Sequence, residues 1–381
     1  MHVSAAETAR RMSSTLAAIA EAGLDGLVMF KPESHYWLTG YDTFGYCFFQ
    51  ALVLRGDGDL VLLTRSADLR QAQLTSTIQD IRVWVDRDDA DPARDLAVLL
   101  REKGLAGKRL GIELDTHGLT FANGKRLEAA LDGVVTVTDA SRLVSRLRLV
   151  KSDEELAFVR RAGELGDKAL EAAIAHSFAG ADEGVILARM HDAIFEAGGD
   201  YPGNPFIIGS GPQALLCRYQ SGRRRLDPQD QLTLEIAGVH RHYHAALMRT
   251  LVIGRPSAQH ERLHEAAHEA LLAAEAKLRP GHAMHEVYDA QADVLDRRGL
   301  REHRLNACGY SLGAVYAPSW MDWPMFYAGN PVVIGAGMVF FLHMILMDST
   351  TGTAVTLGRT SIVTQQGPES LSRLSLELIV R

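Results

Sequence analysis

Residues 231–254 constrain the fold most strongly, because two apolar strand-like runs enclose a short polar stretch. The runs QLTLEIAGV and LMRTLVIG are rich in aliphatic and β-branched residues, which favour buried strands. The stretch HRHYH between them carries three histidines at alternate positions: His240, His242 and His244. On one continuous strand these histidines would share a face. The segment therefore predicts a strand pair at the centre of a sheet, with a histidine cluster that suggests a metal site.

The remainder of the second half alternates long helices with further strands. Ser152 and Glu155 form a capping box, which predicts the start of a long amphipathic helix. Helices are predicted near 153–176, 183–197, 256–278 and 283–298, and further strands near 205–211, 337–347 and 359–365. Long helices that alternate with antiparallel hairpins indicate an α+β domain, which we assign to residues 150–381.

The first half has a different organisation. Helices are predicted near 5–22, 92–104 and 119–131, and strands near 25–30, 36–41, 50–54, 59–64, 109–114 and 134–138. This alternation indicates an α/β domain with a sheet of mixed or parallel strands, which we assign to residues 1–145. A charged stretch between residues 145 and 155 connects the two domains.

Composition excludes several classes of partner. The formal net charge of −7 argues against a nucleic-acid partner, which requires a basic surface. No apolar run approaches the ~18 residues of a membrane span, and the N-terminus lacks the apolar core of a signal peptide. The three cysteines form no C-x-x-C pair, which fits a reducing compartment. We therefore expect a cytoplasmic protein that binds neither nucleic acid nor a membrane.

Three short motifs imitate known sites. HEAAH (264–268) matches a zinc-binding pattern, but it lies in a charged amphipathic helix and no third ligand follows. GYSLG (309–313) matches a nucleophile elbow, but a proline interrupts the helix that should follow. GSGPQA (209–214) imitates a dinucleotide-binding turn, but its proline prevents a helix with a free N-terminus. The side chains that stay open as nucleophiles are Ser311, Cys217 and Cys308.

Six segments, in order and at the right separations, resemble the pita-bread superfamily, which includes methionine aminopeptidase, prolidase, creatinase and ectoine hydrolase. The segments are LVKSDEELAFVRRAGEL, FIIGSGPQALL, LDPQDQLTLEIAGVHRHYHAALMRTLVIGRP, LRPGHAMHEV, GYSLG and GAGMVFFLHMILM. The resemblance covers nearly the whole chain. It implies a creatinase-like two-domain α+β protein, with an α/β N-terminal domain and a pita-bread catalytic domain.

The peptidases of this superfamily bind two metal ions through two aspartates, a histidine and two glutamates. These five positions fall, in chain order, on Glu235, Ala246, Tyr310, His343 and Gly358. A dinuclear site needs bridging carboxylates, and only one carboxylate remains. The resemblance therefore implies an enzyme without the metal site and without another cofactor, similar to creatinase and ectoine hydrolase. One ion held by Glu235, His343 and a nearby histidine stays an alternative.

Further departures concern the substrate. The histidine that creatinase and the peptidases use after the GSGP strand is Arg218 here, and the two glutamates with which creatinase grips its substrate fall on Met248 and His343. Arg218 cannot act as a general base, because guanidinium stays protonated. It can bind a carboxylate through two parallel hydrogen bonds. We therefore expect a carboxylate-bearing substrate rather than that of creatinase.

The remaining polar residues suggest catalytic roles. A buried Glu235 would have a raised pKa suited to acid–base work, His343 would move protons, and Tyr310 would donate to a developing oxyanion. The predicted catalytic residues are Glu235, His343, Tyr310 and His244. The predicted substrate-binding residues are Arg218, Tyr219, Tyr243, Trp320, Tyr46 and Cys217.

Together, these features predict a metal-independent enzyme that hydrolyses an amide, amidine or ring C–N bond in a small carboxylate-bearing molecule. A lyase or ring-forming enzyme on the same scaffold is the nearest variant. The sequence is also compatible with a non-catalytic pseudo-peptidase that binds a peptide or protein, and with a serine hydrolase that uses Ser311. The superfamily is commonly dimeric. We therefore expect a homodimer in which residues 40–50 of one subunit, including Tyr46, reach the cleft of the other.

Overall fold

A computed structural model describes residues 2–218 and 224–381. The chain divides into two compact units, Met1–Arg148 and Leu149–Arg381. Tyr219, one of the predicted substrate contacts, lies outside the described residues. Within the described part of the chain, no helix has the length and apolar character needed to cross a membrane.

The first unit contains one mixed sheet of six strands, in the order β4-β3-β2-β1-β5-β6. The strands are β1 (Gly26–Met29), β2 (Ala51–Arg55), β3 (Leu60–Arg65), β4 (Asp80–Trp84), β5 (Arg109–Ile112) and β6 (Thr136–Asp139). The helices are α1 (Ala5–Glu21), α2 (Pro32–Thr39), α3 (Leu69–Thr75), α4 (Pro92–Glu102), α5 (Phe121–Leu131) and α6 (Leu143–Leu149). Alternate residues of β1 and β2 enter two separate apolar clusters, so the sheet is buried on both faces.

The strand predicted at 36–41 is wrong, because these residues lie in or just after helix α2. Pro32 starts this helix, where a proline is tolerated. The buried carboxylate of Glu113 accepts hydrogen bonds from the backbone N–H of Lys31, just before the helix, and from the hydroxyl of Ser34, which anchors the start of the helix. Tertiary support of the helix start therefore overrides the strand propensity of the aromatic residues.

The second unit is built on a curved sheet of nine strands, in the order β11-β10-β12-β13-β9-β8-β7, with β14 beside β13 and β15 beside β9. The strands are β7 (Ile207–Ser210), β8 (Asp230–His240), β9 (Tyr243–Ile253), β10 (Ala307–Ser311), β11 (Asp322–Tyr327), β12 (Val339–Asp348), β13 (Thr353–Thr364), β14 (Gly367–Ser370) and β15 (Ile379–Val380). The helices are α7 (Asp153–His176), α8 (Glu183–Glu196), α9 (Ala258–Lys277) and α10 (Met284–Arg297).

The long helices α7 and α9 cover one face of this sheet. The predicted capping box of Ser152 and Glu155 is confirmed at the start of α7. This helix approaches β8 so closely that a Cβ on Gly238 would lie 2.0 Å from the carbonyl oxygen of Ala162. Helix α9 packs on β12 and β13, and helix α10 packs on α9, β10 and β11; one continuous apolar cluster that contains Leu342 joins them.

The predicted strand pair is confirmed as β8 and β9, but the shared face of the three histidines is wrong. Arg241 and His242 both have positive φ values, 53° and 63°, and they reverse the chain in a two-residue hairpin turn. The three side chains therefore separate. His240 packs edge-on to Phe158, His242 stacks on a tyrosine, and His244 is fully buried.

Candidate active site

One row of side chains crosses the four central strands of the second sheet. Glu235, Met248, Gly358 and His343 lie opposite one another on β8, β9, β13 and β12. Side chains alternate along a strand, and Leu342 packs under the helices. The row therefore faces away from the helices.

A second row lies beside the first on the same face. The backbone N–H of Ala246 donates to the hydroxyl of Thr360 at 2.9 Å, Thr360 pairs with Phe341, and Phe341 pairs with Tyr310. The two rows together contain all five positions that the resemblance assigned to metal ligands. The fold therefore keeps these positions on one surface, although the side chains have changed.

The strong curvature of the sheet brings Tyr310 to Glu235. The two residues are separated by four inter-strand spacings, roughly 19 Å along a flat sheet. Nevertheless the hydroxyl of Tyr310 donates to Oε1 of Glu235 at 3.1 Å. Two side chains could not span a flat sheet over that distance, so the sheet must curve around this contact. We call the surface formed by Glu235, Tyr310 and His343 on the concave face the floor of the site.

Glu235 is the carboxylate around which the electrostatics of this floor are organised. Burial raises the pKa of Glu235 to about 7, although the Tyr310 hydrogen bond and the positive charge of Arg218 act in the opposite direction. Trp320 Nε1–H donates to the Tyr310 hydroxyl at 2.8 Å, so that an indole, a phenol and a carboxyl form one chain. Burial and the neighbouring Glu235 raise the pKa of Tyr310 well above its usual value. The carboxyl therefore changes protonation near neutral pH while the phenol stays protonated.

His343 lies beside this series of hydrogen-bonded side chains. Its ring centroid lies 5.8 Å from that of Tyr310 and 5.4 Å from that of Phe341. Its Nδ1 atom is buried and has no hydrogen-bond partner among the described residues. Burial lowers the pKa of His343 to about 4, and the charge of Arg218 acts in the same direction. The imidazole is therefore neutral at pH 7, and its Nδ1 atom is left without a partner among the described residues.

Arg218 supplies the positive charge of the site. It follows the short 3-10 turn Gly211–Leu215 after β7 and is exposed, with the half-buried Cys217 beside it. Its charge acts on the pKa of Glu235, of Tyr310 and of His343. The guanidinium therefore acts electrostatically on all three groups of the floor and is accessible to an incoming anion.

A buried carboxylate holds both ends of the segment that carries Arg218. Glu183 is 1% exposed and accepts the backbone N–H and the hydroxyl of Ser210, at the end of β7. Its other oxygen accepts the backbone N–H of Arg224 at 3.0 Å. The Arg224 guanidinium in turn donates to Ser210 and to Asp230. Ser210 and Arg224, at the two ends of the segment, are therefore both hydrogen-bonded to Glu183 at the N-terminus of α8.

His244 and Tyr243 are bound by the protein itself. The backbone N–H of Gly203 donates to Nε2 of His244 at 2.8 Å, so that Nδ1 carries the proton and donates to the carbonyl of His242 at 2.7 Å. Burial lowers the pKa of His244 to about 3. The Tyr243 hydroxyl donates to Glu155 of α7 at 2.6 Å, on the helix side of the sheet. The catalytic role of His244 and the substrate contact of Tyr243 stay predictions, and this arrangement gives both side chains a supporting position.

The residues at the five ligand positions do not fit a dinuclear metal centre. Ala246 and Gly358 supply no donor atom, and a Cβ on Gly358 would lie 2.9 Å from the ring of Phe341 and 2.7 Å from the carbonyl of Leu342. Within residues 2–218 and 224–381, no group of three or more His, Cys, Asp or Glu side chains could hold a metal ion. His244, the nearest histidine in the sequence to the ligand positions, has both nitrogens in use.

Three of the nucleophile and zinc-ligand candidates that the sequence suggested lie outside the candidate site. Ser311 pairs with Phe340, whose side chain belongs to the apolar cluster under the helices, so its hydroxyl faces away from Glu235. Burial raises the pKa of Cys308, which keeps its thiol protonated. His264 lies in helix α9 and its Nε2 pairs with the carbonyl of Leu376. None of these groups joins the candidate site.

Several contacts of the site escaped the sequence analysis. Asn204 accepts the backbone N–H of Trp320, Gly203 contacts His244, and Glu183 holds the Arg218 segment. The stretch YPGNP around Gly203 signals only a loop. A glutamate at the start of a helix signals only a favourable end charge. No local pattern marks these residues, because their partners are distant in the sequence.

Tyr46 belongs to the first unit. It is 7% exposed and burial raises its pKa to about 12, whereas the adjacent Phe44 and Phe48 are 76% and 41% exposed. The proposed reach of this segment into the cleft of a second subunit stays a prediction.

Two family models match the chain. The model of metallopeptidase family M24 matches residues 157–365, and the model of the creatinase/prolidase N-terminal domain matches residues 11–150. Together they account for most of both units.

Individual relatives match over nearly their full length. An uncharacterized hydrolase/peptidase of Sinorhizobium fredii is 27% identical over 100% of this chain and 99% of its own. The ectoine hydrolase of Halomonas elongata is 24% identical over 98% of this chain and 97% of its own. Among solved structures, the dipeptidase PepE of Mycobacterium ulcerans has a TM-score of 0.84 and 27% identity, and covers 98% of both chains. A prolidase of Thermococcus sibiricus has a TM-score of 0.87 at 21% identity, which shows a common fold. These similarities confirm the creatinase-like two-domain fold predicted from the sequence.

Proposed function

The chain belongs to metallopeptidase family M24, and we propose that it hydrolyses a C–N bond in a small carboxylate-bearing molecule without a bound metal ion. The observation that carries the proposal is the pairing of Glu235 with Tyr310 opposite a neutral His343 that has a free nitrogen. The Glu235–Tyr310 pair can donate a proton near neutral pH, and His343 can accept one. This is the division of labour that general acid–base catalysis requires.

Binding of an anion at Arg218 would adjust both sides. The charge of Arg218 depresses the pKa of Glu235 and of His343. A substrate carboxylate paired with the guanidinium would cancel part of that effect. Glu235 would then hold its proton more firmly, and His343 would become a better base. Substrate binding would therefore increase the fraction of the enzyme in its catalytic protonation state.

Hydrolysis follows from these states with protons conserved. His343 accepts a proton from water as the water oxygen forms a bond to the carbonyl or amidine carbon. The C–N bond then breaks, and the leaving nitrogen takes the hydroxyl proton of Tyr310 while Tyr310 takes the proton of Glu235. The proton on His343 passes to solvent and Glu235 is reprotonated. The net change is addition of one water across the C–N bond.

The ectoine hydrolase of Halomonas elongata supports a small substrate, since it aligns with both units of this chain. The loss of donor atoms at Ala246 and Gly358 argues against the metal-dependent route of the peptidases. A lyase would use the same acid and base but no water. A homodimer in the cytoplasm, with the exposed Phe44 and Phe48 at its interface, completes the proposal.

The test is turnover of a panel of carboxylate-bearing amides, amidines and cyclic C–N compounds by chelator-treated enzyme in heavy-oxygen water. Hydrolysis is expected to add one heavy oxygen to the product, and Glu235→Gln is expected to abolish that product. A product without the label would replace hydrolysis by a lyase reaction. If the uncharged amide analogues were turned over as well as the carboxylates, the role of Arg218 would be wrong.

A further inference from the structure

We infer that Trp320 is a positioning residue that fixes the direction in which Tyr310 presents its hydroxyl proton. The inference rests on the proposed function of the Glu235–Tyr310 pair. The sequence suggested instead that Trp320 contacts the substrate. Its indole N–H points at the Tyr310 hydroxyl, 2.8 Å away, and its side chain is 1% exposed. A residue so placed acts through Tyr310.

The hydrogen-bonding capacity of the two groups determines the direction. An indole nitrogen can only donate, whereas a phenol oxygen donates one proton and accepts up to two. Tyr310 must therefore accept from Trp320, and its own proton is directed elsewhere. In the ionised state of Glu235, that proton goes to Oε1, 3.1 Å away.

Protonation of Glu235 changes the group to which Tyr310 donates its hydroxyl proton. The carboxyl then donates to the Tyr310 oxygen, whose two acceptor positions are filled by Trp320 and Glu235. The hydroxyl proton of Tyr310 must then turn to a third acceptor, and the substrate nitrogen is such a group. Trp320 thereby makes delivery of a proton to the substrate conditional on a proton at Glu235.

The indole is itself held on several sides. The side chain of Asn204 accepts the Trp320 backbone N–H at 3.1 Å. Gly203 packs against the same backbone, where a Cβ would lie 3.0 Å from the Trp320 nitrogen. Gly203 is also bound to the buried His244. Through these contacts, His244, Gly203 and Asn204 together hold the indole donor of Trp320 in place.

The experiment compares Trp320→Phe, which removes the N–H but keeps an aromatic ring, with Trp323→Phe as a matched control. Trp323 packs against the apolar cluster under the helices. We expect Trp320→Phe to lower kcat on the order of tenfold, which is less than the roughly 100-fold or greater loss expected when a general acid is removed, with KM nearly unchanged. Trp323→Phe is expected to leave both constants unchanged.

A second readout needs no turnover. The carboxyl band of protonated Glu235 is followed by infrared difference titration and assigned by its loss in Glu235→Gln. We expect the midpoint to rise by at least about half a pH unit in Trp320→Phe, because an unpolarised Tyr310 is a weaker donor to the carboxylate. In a Tyr310→Phe background, Trp320→Phe should cause no further change. Asn204→Ala should shift the midpoint less, in the same direction.

The outcomes separate the two proposals. An unchanged midpoint in Trp320→Phe, or an equal shift when Tyr310 is absent, would overturn the positioning role. If Trp320→Phe does not fold, an unchanged midpoint in Asn204→Ala has the same meaning. If Trp320→Phe shifts the midpoint but the wild-type protein turns over no member of the panel, the positioning role is supported and the proposed function is rejected.

Discussion

Glu183 and Glu235 are two buried glutamates of the same unit, 1% and 8% exposed, with opposite hydrogen bonding. Glu183 accepts three hydrogen bonds, shared between both of its oxygens, from Ser210 and Arg224. Glu235 accepts one, from Tyr310, and no described residue donates to its second oxygen. Burial costs a carboxylate its hydration in both cases, but only Glu183 recovers a full set of donors.

The difference teaches how a fold separates a structural carboxylate from a functional one. A saturated carboxylate fixes the backbone around it and has nothing left for a ligand. An unsaturated one keeps an oxygen for the substrate, and its raised pKa places its proton exchange near neutral pH. Substitutions that change the hydrogen bonding or the charge of Glu235 and Glu183 test this comparison.

The largest expected effect is that of Glu235→Gln on turnover. Glutamine keeps the shape and the acceptor for Tyr310 but cannot release a proton, so kcat should fall by roughly 100- to 10,000-fold. The measurement is steady-state kinetics on the substrate found in the panel. A circular-dichroism spectrum like that of the wild type serves as the control for folding. Retention of more than about a tenth of the wild-type kcat would exclude Glu235 as the acid.

The same substitution should alter stability in a pH-dependent way. The unfolded chain ionises this glutamate near its ordinary pKa of 4.5, whereas the folded protein keeps the proton up to a pKa of about 7. The folded state therefore binds more protons between these values, and the free energy of unfolding falls as the pH rises through that window. The loss is roughly 3 kcal/mol in total.

Glu235→Gln has no such titration. Relative to the wild type, it should gain roughly 3 kcal/mol of stability between pH 4 and pH 8. Urea unfolding at both pH values measures the difference. The buried histidines, whose lowered pKa values act below pH 6.5, are common to both proteins and cancel. Parallel stability curves would show that Glu235 is not desolvated.

Much of the fold around these two glutamates could be predicted from the sequence, but the difference in their hydrogen bonding could not. The strand pair β8–β9 and the long helices follow from apolar patterning, and the resemblance identified Glu235, Tyr310 and His343 as one surface. The short strands β10 and β11 were missed, because their pairing partners are distant and their own patterns are weak.

Hydrogen-bond saturation is equally invisible in a sequence. Nothing around Glu183 or Glu235 indicates which one meets three donors and which meets one. The hairpin turn at Arg241 and His242 requires positive φ at two residues that seldom adopt it, so alternation across HRHYH was a reasonable but wrong extrapolation. Curvature, which brings Tyr310 to Glu235, is a property of the whole sheet.

Glu183→Gln should produce a smaller effect of a different kind. The amide cannot accept at both positions as a carboxylate does, so Ser210 or Arg224 loses its partner and the free energy of unfolding should fall by about 1–3 kcal/mol. The stems that hold Arg218 would loosen, which should raise KM while kcat stays within about twofold. Arg218→Ala should raise KM in the same way. A loss of kcat without a change in KM would mean that Glu183 belongs to the chemistry.

The smallest expected effect is that of a chelator, which should leave the melting temperature and kcat of untagged protein unchanged. Ala246 and Gly358 offer no donor, and Phe341 occupies the space beside Gly358. Plasma mass spectrometry should therefore find far less than one metal ion per chain. Stoichiometric metal that stabilises the protein would reverse the comparison, because a cation at Glu235 would saturate that carboxylate as Ser210 and Arg224 saturate Glu183. Its pKa would then fall well below neutrality, and the proton would have to come from metal-bound water.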